Sequence, residues 1–322
     1  MSTLRNCGRR LGVGRAAYAL WHAPVGVVRT SVAAGGPLEQ WRDSRDARAM
    51  AEAASQLPTL HAPLAADFAE LHFLTGKRFW YQTAFCLWSL QMHSERTFRV
   101  VFHDDGSLDD ECTAPLQKLF PAAELRRRNA NDQKIGELLP PARFPFLHDR
   151  RKSYPNILKL TDAHAGAPGA RLVLDSDILF FRKPEFLLEW LAAPNRALHM
   201  ADIRDAYGYP LPLMESLADA SIPHFVNAGL TGLNSEMLDW EKIEFWCRRL
   251  IEAHGTSYYL EQALVAMLVA GRDCAVAPAA DYVLAPDESE CRTPRATMHH
   301  YVAESKRGYF RHGWRRVFSL TQ

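Results

Sequence analysis

Two short apolar runs, Leu71-His-Phe-Leu74 and Phe98-Arg-Val-Val-Phe102, enclose a segment from about Phe79 to Met92 in which Trp, Phe and Leu fall on nearly every side. A helix that is apolar on most faces has to be covered on most faces. Parallel strands need a crossover between them, and a helix is its usual form. The segment therefore predicts a βαβ unit whose helix lies between two layers. Further signals follow in alternation: a helix around Asn156–His164, a strand at Leu172–Leu174, a possible strand at Ala197–Met200 and a Gly-containing strand from Phe225 to Leu233. Helices are expected over about Glu236–Ala253, ending near Gly255, and over about Tyr258–Ala270, stopping at Gly271, with a last strand near Tyr282–Leu284. The alternation predicts a doubly wound α/β sheet, whose ligands bind at the C-terminal ends of its strands.

At 322 residues the chain can bury one large core or two fused halves. Residues 1–67 read as an N-terminal helical extension, with Asp43–Ala54 rich in helix formers and Gly35-Gly36-Pro37 as a joint. Arg5, Arg9, Arg10 and Arg15 precede the moderately apolar Ala16–Val28. His22, Pro24 and Arg29 interrupt that segment, which falls short of the ~20 residues that span a bilayer. It reads as a helix packing on the main domain, with peripheral contact to anionic lipid as the alternative. The six cysteines are scattered without a Cys-x-x-Cys pair, the pattern of reduced thiols in a cytoplasmic protein. A net charge of +1 disfavours broad nucleic-acid binding.

The chemistry is concentrated where Arg171-Leu-Val-Leu174 gives way to Asp175-Ser-Asp177. Carboxylates at the end of a buried run are costly unless a cation or hydrogen bonds meet them. Mg2+ and Mn2+ take oxygen ligands, commonly one or two carboxylates plus the phosphates of a substrate. An Asp-x-Asp leaving a strand suits that task; the competing reading is a turn capped by Asp and Ser. Asp104-Asp105-Gly106-Ser107 also ends a strand and is either a turn or a nucleoside contact, with Asp104 the better placed. Arg150-Arg151-Lys152 reads as a solvated basic loop, and Asp202, Arg204 and Asp205 as surface ion pairs or the lining of a sugar pocket. No Gly-x-x-x-x-Gly-Lys-Ser/Thr occurs, which excludes a P-loop kinase, and Gly12-Val-Gly14 lacks the context of a dinucleotide fingerprint.

In order along the chain, Lys159-Leu160, Asp175-Ser-Asp177, Phe225-Val-Asn227-Ala-Gly229, Glu261-Gln262 and His300-Tyr301 followed by Lys306, Gly308 and Trp314 resemble the GT-A glycosyltransferases, notably the family 8 retaining enzymes and glycogenin. The resemblance covers about residues 68–314. It implies a Rossmann-like mixed sheet flanked by helices, with a nucleotide-binding half at 68–180 and an acceptor half at 181–322. It also implies a metal, Mn2+ or Mg2+, held by Asp175, Asp177 and His300. Lys159 would meet the donor diphosphate or the sugar, Lys306 the phosphates, and Asn227 and Gln262 the transferred sugar. The tail departs from the family in lacking Lys-Pro-Trp, so Arg307 competes with Lys306, and His299 with His300. The Asp104–Ser107 stretch is similar to the Asp-Asp-Gly-Ser of family 2 inverting enzymes, a likeness that implies a nucleoside contact for Asp104. The expected activity is metal-dependent transfer of a sugar from a nucleoside-diphosphate sugar to a carbohydrate or other hydroxyl acceptor, with retention. A general base for inversion could be sought at Asp202, Asp205 or Glu261. The rival readings are a sugar nucleotidyltransferase and a catalytically silent carbohydrate- or partner-binding protein of the same fold.

Overall fold

The computed structural model describes residues 37–64 and 69–321. The basic and apolar segment Arg5–Val28, with Gly12-Val-Gly14, lies outside the described residues. A helix spans Pro37–Ala54, and the chain divides into two compact units between Ala49 and Met50. Among the described residues, no helix is long and apolar enough to cross a membrane.

The strands are β1 (Glu70–Thr75), β2 (Val100–Asp104), β3 (Glu124–Arg126), β4 (Ala170–Leu174), β5 (Ile178–Phe180), β6 (Ala197–Ala201), β7 (Val226–Asn234), β8 (Cys274–Ala277), β9 (Tyr282–Leu284) and β10 (Met298–His300). Seven of them form one sheet in the order β3-β2-β1-β4-β7-β6-β8. β1 pairs in parallel with β2 and with β4, as the βαβ reading requires. β7 alone reverses the sheet, pairing antiparallel with both β4 and β6. The expectation of a doubly wound sheet is thus modified: the start of β7, not its end, lies beside the C-terminal end of β4. A second, three-stranded sheet has the order β5-β10-β9.

The helix Trp80–Ser94 explains its own composition. It packs on β1 and β5 and against the C-terminal helix Trp314–Phe318, where Phe85 meets Trp314 with ring centroids 5.6 Å apart. Phe85, Leu87 and Leu90 are fully buried. Burying side chains of this size contributes roughly 1.5–3 kcal/mol each.

A buried polar chain crosses the parallel half of the sheet. His72 Nδ1 lies 2.9 Å from His103 Nε2, and Arg171 approaches His72 Nε2 at 2.9 Å. Burial lowers His72 to about 4 and His164 to about 3, and holds His103 well below the usual imidazole value. These rings are neutral in the folded protein and charge more readily when unfolded. Stability is therefore complete above pH 6.5 and lost as pH falls from 6.5 towards 4, because the unfolded chain then binds more protons. For His72 the drop from 6.5 to about 4 corresponds to about 3 kcal/mol. Thermal melts between pH 7 and 4.5 should show a falling midpoint, with a shallower slope in His72→Gln. A midpoint independent of pH across that window would contradict neutral buried rings.

Candidate active site

β4 delivers Leu174 to the edge of the sheet, and the chain then turns through Asp175-Ser176-Asp177 into β5. Two backbone bonds fix the turn: Asp175 N donates to Gly229 O at 2.8 Å, and Tyr301 N donates to Asp177 O at 2.9 Å. The antiparallel register of β5 with β10 sets His300 opposite Ile178, next to the acid pair. His300 Nε2 consequently lies 3.2 Å from Asp177 Oδ1 and 3.6 Å from Asp175 Oδ2. One ligand atom from each of the three residues falls within 4.8 Å of the others.

The donor set fits a divalent cation. Both ring nitrogens of His300 are buried and have no hydrogen-bond partner among the described residues, despite the nearby carboxylates. A buried polar atom is normally satisfied, and a metal held by the carboxylates would supply the partner of Nε2, the nitrogen that faces them. Two carboxylates with one imidazole suit Mn2+ better than Mg2+, which prefers oxygen alone. Gly229 makes room for the ring: a Cβ there would lie 2.1 Å from His300 Cε1. His299 is turned away, bonded to Tyr301 Oη at 2.9 Å and Glu290 Oε1 at 3.0 Å.

Two lysines flank the acids. Lys159 Nζ is 2.8 Å from Asp175 Oδ1 and 3.2 Å from Glu261 Oε2, and Lys306 Nζ is 2.9 Å from Asp177 Oδ2. Burial favours the neutral amine of Lys159, but the Asp175 and Glu261 carboxylates outweigh it and raise its pKa. Burial also raises the Glu261 carboxyl, to about 7, against the opposing pull of Lys159.

The triad sits between two cavities. One, of about 340 Å³, is lined by Leu74, Phe79, Gln82, Asp105, Tyr154 and Ser176, among others. The other, of about 440 Å³, is lined by Asp202, Asn227, Gly229, Glu261, Gln262 and His300, among others. Asp175, Asp177, Lys159, Lys306, Asn156 and Tyr258 border both.

Among the residues expected from sequence, Lys159, Asp175, Asp177, Asn227, Gln262, His300 and Lys306 converge here. Asp104 does not: its Oδ1 accepts from Gly106 N at 2.7 Å and Leu108 N at 3.1 Å, so it closes a turn. The neighbouring Asp105 faces the smaller cavity, its carboxylate lying against Gly76, where a Cβ would come within 2.2 Å. Asp202 is not a surface ion pair but a hub in the wall of the larger cavity. Its Oδ2 accepts from Asn227 Nδ2 at 2.8 Å and Gln262 Nε2 at 3.3 Å. Gln262 also donates to Ala206 O at 2.8 Å and accepts from Ala228 N at 3.2 Å, so both its amide protons are engaged.

Neither a family model nor a curated protein sequence matches the chain. Its architecture does have solved counterparts. Mouse xyloside xylosyltransferase 1, in its apo form, superposes with a TM-score of 0.51 at 10% identity, covering 74% of this chain and 99% of that one. The galactosyltransferase LgtC, in complex with donor and acceptor sugar analogues, superposes with a TM-score of 0.50 at 15% identity, covering 73% of this chain and 87% of that one. The chain has the GT-A fold. In this fold the acid pair, His300 and the start of β7 come together at one edge of the sheet, between the two cavities.

Proposed function

We propose that the chain is a glycosyltransferase of the family 8 kind, moving a sugar from a nucleoside-diphosphate sugar to a carbohydrate or other hydroxyl acceptor. The observation that carries the reading is the Asp175–Asp177–His300 triad, its buried imidazole without a well-formed hydrogen bond, at the junction of two cavities. In this reading residues 68–180 form the nucleotide-binding half and 181–322 the acceptor half. The smaller cavity takes the nucleoside, with Asp105 taking over from Asp104, and the larger takes the sugar. Asp175, Asp177 and His300 hold Mn2+ or Mg2+, which when bound offsets the charge developing on the departing diphosphate. Lys159 and Lys306 present ammonium groups to the same diphosphate. Asn227 keeps one amide proton for the sugar, while Gln262, fully engaged by protein partners, positions Asp202 and the start of β7.

Retention is supported by the condition of the carboxylates. An inverting enzyme needs a free carboxylate to take the acceptor proton. Asp202 has both oxygens engaged, Oδ1 by Ile203 N at 2.7 Å and Oδ2 by the two amides. Glu261 is tied to Lys159, and Asp205 caps Phe225 N at 2.8 Å. Catalysis then rests on positioning and on charge stabilisation of the leaving group.

The test is a thermal-shift screen of nucleoside diphosphates and nucleotide sugars with and without Mn2+, followed by NMR of the product anomer. Stabilisation should require metal and one nucleotide together, by about 2.7 kcal/mol at a hundredfold excess over Kd. Pyrophosphate exchange with a nucleoside triphosphate would favour a nucleotidyltransferase instead. Binding without donor hydrolysis or transfer would favour a silent binding protein. A product of inverted anomeric configuration would remove the retaining assignment.

A further inference from the structure

Beyond the sugar-side cavity the groove continues. Ile203, Ala285 and Ala303 line that cavity and also a third one, of about 480 Å³. Among the described residues none lines both this third cavity and the nucleoside cavity. The three spaces therefore follow one another in the order nucleoside, sugar, third cavity, with the acid pair at the first junction and the Ile203–Ala285–Ala303 pinch at the second.

The pinch is built, not incidental. Ala285 and Ala303 have φ values of 52° and 48°, in the left-handed region that costs a non-glycine residue. Ala285 is held there by its N–H, which donates to His300 O at 2.9 Å. Strain of this kind persists where the surrounding structure over-determines it, and it clusters at ligand sites. Ile203, 70% exposed, adds an apolar side chain that nothing in the fold requires.

The walls beyond the pinch state the chemistry of the occupant. Glu304 and Glu288 stand among Arg307, Arg311 and His312. Charges of both signs at close quarters suit a ligand rich in hydroxyls that donate and accept, and disfavour a polyanion. The apolar lining, from Ile203, Ala285, Pro286, Cys291 and Ala303, is interrupted by these charged groups, which disfavours a lipid chain.

We propose that this third cavity is a distal acceptor subsite, which holds the further sugar units of an oligosaccharide whose terminal residue reaches the transfer point through the pinch. The proposal rests on the glycosyltransferase reading above, because a donor spanning the first two spaces leaves the third as the adjoining space for an acceptor. It implies that the natural acceptor is extended, not a monosaccharide.

The test uses the full chain with Mn2+ and the nucleoside diphosphate selected by the thermal-shift screen. Binding is measured to immobilised homologous series of one to six sugar units: maltose-, cellulose-, lactose- and rhamnose-based. At least one series should gain tenfold or more in affinity between the monosaccharide and the tetrasaccharide. In Glu304→Ala and Arg311→Ala the ratio of those two Kd values should collapse towards one. Glu304 is exposed, so its variant reports on the subsite even if Arg311→Ala does not fold. Equal affinity at every length in all series, or a length gain untouched by both substitutions, overturns the proposal while leaving the transferase reading intact. Absence of metal-dependent nucleotide binding removes both, and the screen registers that separately.

Discussion

Replacing Asp177 with alanine is expected to lower metal-dependent sugar transfer at least a thousandfold, about 4 kcal/mol in activation free energy. The substitution removes one of two carboxylates that face His300, and with it the charge that would hold the cation. The turn should survive, because the structural bond at this position is made by the backbone carbonyl of Asp177 to Tyr301 N at 2.9 Å. Lys306, released from its partner, can turn to water, since its side chain is 42% exposed. Asp175→Ala should be as damaging, with Lys159 keeping Glu261 as its counter-ion. The measurements are kcat/KM with Mn2+ and direct Mn2+ binding by electron paramagnetic resonance. Full turnover in either variant would return Asp-Ser-Asp to the status of a turn.

Arg151→Met is expected to cost about 3–5 kcal/mol of folding stability, the range for leaving a buried charge without its partner. The Arg151 side chain is 2% exposed and that of Asp162 0%, and the two are in direct contact through Arg151 Nη1. Arg151 Nη2 also reaches Asp132 Oδ1 at 2.5 Å. Asp162 accepts in addition from Asn131 Nδ2 at 3.0 Å and from Thr161 Oγ1 at 2.9 Å. Those bonds soften the penalty but do not neutralise the carboxylate. Urea denaturation of the variant should show a lower midpoint at unchanged slope. A loss under 1 kcal/mol would mean that water reaches Asp162 once the guanidinium is gone.

The same residue marks a limit of sequence reading. Arg150-Arg151-Lys152 has the look of a solvated run, yet the helix Pro145–Ser153 turns Arg151 inward while Lys152 stays exposed. Nothing local distinguishes the two, since the partners Asp132 and Asp162 arrive from other helices. The βαβ unit was legible because helix Trp80–Ser94 carries its burial in its own composition. Three-residue strands are different. β5 and β10 are too short to show a period, and their pairing is what brings His300 to Asp177. That contact was foreseen through family resemblance, not through any local pattern. The one-residue shift from Asp104 to Asp105 at the smaller cavity belongs to the same class. The turn engages both carboxylates, Asp104 through Gly106 N and Asp105 through Ser107 N, and a strand-end motif cannot say which of them also lines the cavity. Asp202 has no local signal either, because its partners are amides supplied by β7 and by the helix Leu260–Leu268.

The reversal of β7 has a consequence for how such a chain can diversify. Because β7 runs against its neighbours, the connection entering it, residues 202–225, arises where β6 ends, and Met200 pairs with Asn227 at that same edge. The connection leaving it, from Asn234, lies at the far edge of the sheet, where Ala170 begins β4. Insertions or replacements in 202–225 would reshape one wall of the larger cavity without disturbing the parallel strands that lead to Asp105 and Asp175. Changes of equal size after Asn234 would fall at the opposite end of the strands, where Ser235 meets the buried His164 and Leu238 enters the core. Under the proposed function, the wall that would meet the acceptor can thus vary apart from the strand ends that would meet the donor, with the reversed strand as the seam between them.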